Sequence, residues 1–351
     1  MIRLYDTALG RQVGLSLREP GRLSMYVCGP TVYDLPHVGH GRHVLVYDVL
    51  RRYLEWSGIE VHHVSNITDI DDKIIDRAAR DGREVSEVAA EFEEAWYAAV
   101  DRLGVLRPHS DPHATAYVDD MVTLVARLVE TGHAYATDEG VYLAVDQVPG
   151  YGLLARQPLE SLRSGARVDV VAAKRSPLDF ALWKSVKPGE PSWESPWGPG
   201  RPGWHTECVV MSLDLLGEDF DLHAGGLDLA FPHHENERAQ AVALGRPFSR
   251  RWMHHAFVEV GGEKMSKSLG NFTTLTELLA ANDPRAYRML VLQSQYRKPM
   301  EVTGATLDSA TRALAALDDF ARRTADLAAT PPDGAALDAF RSRMDDDLDT
   351  P

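Results

Sequence analysis

Apolar and polar positions along this chain alternate between two periods, and the changes of period mark out its elements. Leu23-Ser24-Met25-Tyr26-Val27 is apolar except for one serine and predicts a strand ending at Cys28. From Val44 to Trp56 the apolar residues recur at helical spacing and predict an amphipathic helix. Glu60 to Val64 reads as a strand, and Asp72 to Arg80 and Glu84 to Leu103 read as helices, the alternation of one half of a doubly wound parallel sheet. A helix from about Tyr117 to Glu130 stops at Thr131-Gly132, and the alternation over Gly140 to Val145 predicts a small antiparallel element. Lys184 to Trp204 is too rich in Pro and Gly for regular structure and predicts a long loop, with its three tryptophans arguing against disorder. The second half of the sheet then follows: helix Thr206 to Leu216, strand Phe220 to His223, a helix opening near His233, and a strand from Met253 to Val260. Beyond Asp283 the chain reads as helices, Arg285 to Gln295, Thr306 to Ala328 and a last one from Gly334, with a break at Pro331-Pro332.

Composition changes this picture little. With 351 residues, 44% hydrophobic and 25% charged, the chain has ordinary globular usage and room for two or three domains. No apolar run approaches the length of a membrane helix, and Met1 to Asp6 lacks the apolar core of a secretory signal, so a cytoplasmic protein with no membrane partner is expected. Two cysteines, Cys28 and Cys208, exclude a disulfide framework and leave metal binding or plain burial open for each. A net charge of −15 speaks against an overall nucleic-acid-binding surface, although Arg250-Arg251 and Arg297-Lys298 leave local basic groups.

Three strings carry chemistry. His37-Val38-Gly39-His40 places two imidazoles one helical turn apart at a strand-to-helix junction, where free N–H groups and the helix dipole favour phosphate; Gly39 lets a nucleotide lie against backbone. Lys264-Met265-Ser266-Lys267-Ser268 carries two ammonium groups three residues apart in a polar stretch, suited to charge developing on a polyphosphate. Together they describe an ATP site, with His37, His40, Lys264 and Lys267 as candidate catalytic residues. In Phe231-Pro232-His233-His234-Glu235-Asn236-Glu237 the proline suits a helix start, so His233 and Glu237 fall at i and i+4 on one face. Cys28 ends a strand at the ligand-binding edge of an open sheet and Cys208 lies early in a helix, so two thiolates, an imidazole and a carboxylate could form a zinc set. The plainer reading, a surface His/Glu pair and two core cysteines, stands beside it.

The first two strings, in this order, resemble the HIGH and KMSKS motifs of class I aminoacyl-tRNA synthetases. Five blocks, Met25 to Asp34, Asn66 to Ile74, Gly200 to Cys208, Phe231 to Glu237 and Lys264 to Asn271, resemble the cysteinyl-tRNA synthetase family, and the similarity runs from Ile2 to Pro351. Val38 stands where the first motif often has Ile, and Ala224-Gly225-Gly226-Leu227-Asp228 where the family often has three glycines and Ser before Asp. The resemblance implies an α/β fold, a Rossmann-type doubly wound parallel sheet with a small insertion, followed by an α-helical bundle. The division it implies is 1–110 and 166–260 for the two catalytic halves, 111–165 for the insertion, 261–303 for the KMSKS loop and stem-contact region, and 304–351 for the start of a helical domain. The family's anticodon-binding domain would lie beyond Pro351, so the chain reads as C-terminally truncated. The resemblance further implies a monomer that activates L-cysteine with ATP and Mg2+ and transfers it to tRNA(Cys). It implies zinc held by Cys28, Cys208, His233 and Glu237, and an amino-acid pocket of Gly29, Thr68, Trp204, His223 and Asp228. Two alternatives remain: a ligase of the mycothiol-pathway type, joining cysteine to an amino sugar, and a non-catalytic nucleotide-binding module.

Overall fold

Four parallel strands form the centre of the molecule: β1 (Arg22–Val27), β2 (Glu60–Val64), β3 (Leu222–Gly226) and β4 (Trp252–His255), in spatial order β4-β3-β1-β2. The structure, a computed structural model, describes residues 2–157, 174–260, 263–264 (backbone), 274–327 and 331–351. From Leu23 onward every residue of β1 is buried, because both faces of a parallel sheet are covered and its central strands run continuously apolar. Met25 pairs with His63 of β2 on one side and Leu222 of β3 on the other. The chain therefore leaves β1 in one direction, returns, and builds β3 and β4 in the other. That reversal opens a crevice at the carboxyl ends of β1 and β3, where open α/β sheets bind ligands. Cys28 and Gly226 stand at its two sides.

Helix Val38–Trp56 connects β1 to β2, and helix Glu235–Ala243 connects β3 to β4. Between β2 and β3 lie helices Asp72–Asp81, Val85–Arg102 and Val118–Glu130, a four-stranded antiparallel sheet, and helix Trp204–Leu216. The antiparallel sheet takes Ala134–Thr137, Gly140–Leu143, Phe180–Ser185 and Gly200–Pro202 in chain order. It thus extends beyond 165 into the segment expected to be irregular: Trp183 pairs with Pro202 and Ser185 with Gly200, across a turn that absorbs the prolines.

Three further expectations are corrected. The strand expected at Phe220 to His223 runs from Leu222 to Gly226, since two buried glycines at the sheet centre outweigh their poor strand propensity. The stretch Met253 to Val260 is two strands: β4 in the central sheet, and Val258–Val260 in a second sheet, parallel to Met300–Glu301 and antiparallel to Glu263–Lys264. The helix expected near His233 becomes regular only at Glu235, because Phe231, preceding Pro232, is extended (φ −144°, ψ 131°) and His233 and His234 occupy a wide turn ahead of it.

The last helices, Gly304–Thr324 and Gly334–Asp345, leave Leu317, Phe320 and Phe340 exposed. The residues after them are anchored: buried Asp347 accepts hydrogen bonds from Tyr5 N (2.7 Å), Tyr296 Oη (2.5 Å) and Arg297 Nε (2.6 Å). No helix among the described residues is long and apolar enough to cross a membrane.

Candidate active site and metal centre

His37 is the N-cap of helix Val38–Trp56 and His40 its third residue, so the helix begins six residues before the expected Val44. The two imidazoles cap the helix reciprocally: His40 N donates to His37 Nδ1 (3.3 Å) and His37 N to His40 Nδ1 (3.2 Å), and the rings stack with centroids 3.7 Å apart. Short-range capping thus fixes both rings at the positive end of the helix dipole. They line a cavity of about 320 Å³ together with Cys28, Gly29, Gly39, Trp204 and Asp228. Gly29 is required there: a Cβ would lie 1.6 Å from the carbonyl oxygen of Asn66, and Gly29 N donates to Asn66 Oδ1 (2.9 Å).

At the other end of this cavity the sheet and two helices bring four donors together. Cys28 follows β1, Cys208 comes from helix Trp204–Leu216, His233 from the wide turn, and Glu237 from the helix after it; their ligand atoms lie within 4.8 Å of one another. All four are buried. Cys28 Sγ lies 3.9 Å from Cys208 Sγ and 3.6 Å from Glu237 Oε1, and His233 Nε2 lies 3.0 Å from Glu237 Oε1. Tetrahedral zinc, with bonds of about 2.3 Å to sulfur and 2.0–2.2 Å to nitrogen or oxygen, needs ligand atoms roughly 3.4–3.8 Å apart. The donor set fits that ion, with the cysteine distances close to its spacing and the His233–Glu237 pair tighter than it.

The donors have partners of their own, as metal ligands do. His223 Nε2 is 2.7 Å from Glu237 Oε2, so Oε2 accepts while Oε1 faces the cysteines. His205 Nδ1 is 2.8 Å from His233 Nδ1, and Trp204 stacks on the His233 ring at 4.0 Å. His234 Nε2 is 3.2 Å from Cys28 Sγ, and its Nδ1 is 2.8 Å from His254 Nε2. A second group, Cys28, His223, His234 and Glu237, also meets metal-binding spacing. Its His234–Glu237 separation of 4.0 Å is the looser fit, and the Cys28–His234 distance is that of an N–H donor to sulfur.

Burial governs the electrostatics. It raises the Cys28 thiol well above its ordinary range, reinforced by Cys208 and Glu237. At Cys208 the hydrogen bond with Cys28 lowers the pKa, but burial and the charges of Glu237 and Glu207 outweigh it. Burial and neighbouring imidazoles hold His233 and His234 well below their ordinary value. The histidines are therefore neutral and ready to ligate, whereas the thiols must release protons to a metal.

Of the expected amino-acid pocket, Gly29, Trp204 and Asp228 line the cavity, while Thr68 and His223 are buried behind it. Thr68 Oγ1 donates to Glu207 Oε2 (3.1 Å), and burial, with Asp71 nearby, keeps the Glu207 carboxyl well above its usual pKa. Lys264 is described as backbone, paired with Glu259; Lys267 and the rest of its string lie outside the described residues. Sequence reading missed His205, His234 and His254. The signal for the last two was the doublets His233-His234 and His254-His255, which spacing alone does not single out, and His205 had none.

The architecture matches known structures of one class. Mycobacterium tuberculosis methionyl-tRNA synthetase in complex with methionyl-adenylate superposes with a TM-score of 0.73 over 94% of this chain and 80% of that one, at 16% identity, which defines a class I synthetase fold. The sequence carries the assignment further. Residues 15–312 match the family model described as tRNA synthetases class I (C) catalytic domain. The cysteine–tRNA ligase of Syntrophotalea carbinolica is 47% identical over 99% of this chain and 74% of its own length, and that of Trichlorobacter lovleyi 46% identical over 99% and 75%. The chain belongs to the class I (C) tRNA synthetase family.

Proposed function

We propose that this chain activates L-cysteine with ATP to cysteinyl-adenylate and transfers the cysteinyl group to the 3′-terminal adenosine of tRNA(Cys). The observation that carries this reading is the single cavity shared by the His37/His40 helix end and the Cys28 thiol. The cysteine carboxylate attacks the α-phosphate of ATP and pyrophosphate leaves; the adenylate's carbonyl carbon is then attacked by the 2′-hydroxyl of the terminal ribose, and AMP departs. His37 and His40, fixed by mutual capping, sit beside the phosphates at the helix end, and Lys264 and Lys267 neutralise the pyrophosphate as it forms. Mg2+ accompanies ATP. Gly29, Trp204 and Asp228 contact the amino acid, with Thr68 and His223 shaping the wall from behind.

Zinc would be held by Cys28, Cys208, His233 and Glu237, where it would supply a Lewis acid that favours a thiolate over a serine hydroxyl at neutral pH. His223 and His205 orient Glu237 and His233 for that task. The protein acts as a monomer in the cytoplasm. Amino-acid-dependent exchange of labelled pyrophosphate into ATP tests the reading: exchange with cysteine and none with excess serine is expected. No exchange with cysteine from a folded, zinc-loaded chain would refute it.

A further inference from the structure

Arg42 lies two residues after His40 and is fully buried (0% exposed). Its guanidinium meets no carboxylate among the described residues. It donates instead to four backbone carbonyls: Nη1 to Phe257 (2.7 Å), and Nη2 to Lys298 (2.6 Å), Tyr296 (3.1 Å) and Gln295 (3.4 Å). Burial lowers its pKa to about 10, which leaves it charged at neutral pH. A buried charge without a counter-ion is costly, and an apolar side chain would fill a core-facing helix position without that cost. The acceptors show what the charge accomplishes. Phe257 lines the cavity and directly precedes strand Val258–Val260, whose neighbours are Glu263–Lys264 and Met300–Glu301; residues 295–298 lead into the latter. One rigid fork therefore joins the helix bearing His37 and His40 to the strand pair bearing Lys264, and a flexible ammonium could not span the same carbonyls. The junction is tight on its other side as well: Tyr287 Oη donates to Val38 O (2.5 Å), and a Cβ at Gly41 would lie 2.8 Å from the Tyr287 ring.

We infer that Arg42 is a positioning residue for adenylate formation, fixing the helix that bears His37 and His40 against Phe257 and the strand that follows it. The inference rests on the function proposed above. If this placement matters mainly as charge moves onto pyrophosphate, loss of the fork should lower turnover and spare ground-state binding.

The test uses Arg42→Lys, which keeps the charge and loses the fork, and Arg42→Met, which loses both. For Arg42→Lys, kcat of cysteine-dependent pyrophosphate exchange should fall about 100-fold, the order expected for a misplacement near 1 Å. Its Kd for ATP should stay within about threefold of the parent, with zinc content and near-UV circular dichroism unchanged. Arg42→Met should lose at least as much turnover. A folded Arg42→Lys with parental kcat would overturn the inference, as would equal losses of kcat and ATP affinity; an Arg42→Lys chain that cannot fold would assign the fork to folding and also overturn it. A parent chain with no exchange activity would instead refute the functional reading.

Discussion

The two ends of the central cavity are built in opposite ways. At the nucleotide end, His37 and His40 are three residues apart and hold each other through hydrogen bonds from backbone N–H to ring nitrogen that need only one turn of helix. At the metal end, the donors stand at positions 28, 208, 233 and 237 and meet only once β1 and two helices have packed. The first end is a local structure that the fold presents; the second is a product of the fold. Damage to the first should remain local, and damage to the second should spread to metal content and stability.

The largest separation of the two ends is expected from Cys208→Ser. It should abolish stoichiometric zinc, read by elemental analysis, and reduce cysteine-dependent exchange at least 1,000-fold, because one member of a buried four-donor set has gone. A variant retaining one tightly bound zinc per chain would show that the second group, with His223 and His234, holds the ion. His40→Ala should then do the reverse, lowering the exchange rate about 100-fold by removing a group beside the developing charge while zinc stays at one per chain. Loss of zinc in this variant would break the proposed independence of the two ends.

A smaller effect should come from His205→Gln, which removes the partner of His233 Nδ1. Zinc affinity, measured by competition with a chelator, should weaken about 10-fold, and full affinity would show that His233 is oriented by Trp204 stacking alone.

The remaining prediction is a pH dependence of the metal-free chain. Burial holds His43 at about 4 and His254 at about 3, and at His63 burial with the nearby Arg51 charge gives about 3, against an ordinary 6.5. As pH falls, the unfolded chain binds protons at these groups before the folded one does. Their contribution to stability is therefore complete above pH 6.5 and declines as pH drops from 6.5 toward 4, with a limiting slope of about 1.4 kcal/mol per pH unit for each group. The thermal midpoint in the presence of a chelator should fall steadily over that interval; an unchanged midpoint between pH 6.5 and 4.5 would show that these imidazoles are protonated in place.

This contrast also explains what the sequence disclosed. Continuously apolar β1, the helix after it and the His37/His40 string were legible because their signals occupy consecutive residues. The meeting of Cys28 with Cys208 was not, since residue types allow a zinc set but cannot show that a strand end and a helix 180 positions apart deliver the thiols side by side; the family resemblance supplied that expectation. His234 and His254 were passed over because their roles depend on ring nitrogens pointing at particular atoms. Arg42 left no periodic trace either, as its acceptors are backbone carbonyls that any residue provides. The misread strand at Phe220 has a similar cause: Gly225 and Gly226 look like a turn until β4 is placed alongside them.

The Asp347 carboxylate has a bearing on how the chain reaches this structure. It joins Tyr5 N across 342 positions, and its other partners, Tyr296 and Arg297, lie some fifty residues before it. During synthesis the first strand of the N-terminal hairpin, Arg3–Asp6, leaves the ribosome long before this partner exists. The hairpin can pair with itself and later dock through Thr7 on Trp252, but its tie to Asp347 must wait until that residue is made. Closing so long a loop contributes to slow folding, so this knot should be among the last contacts to form and among the first to open.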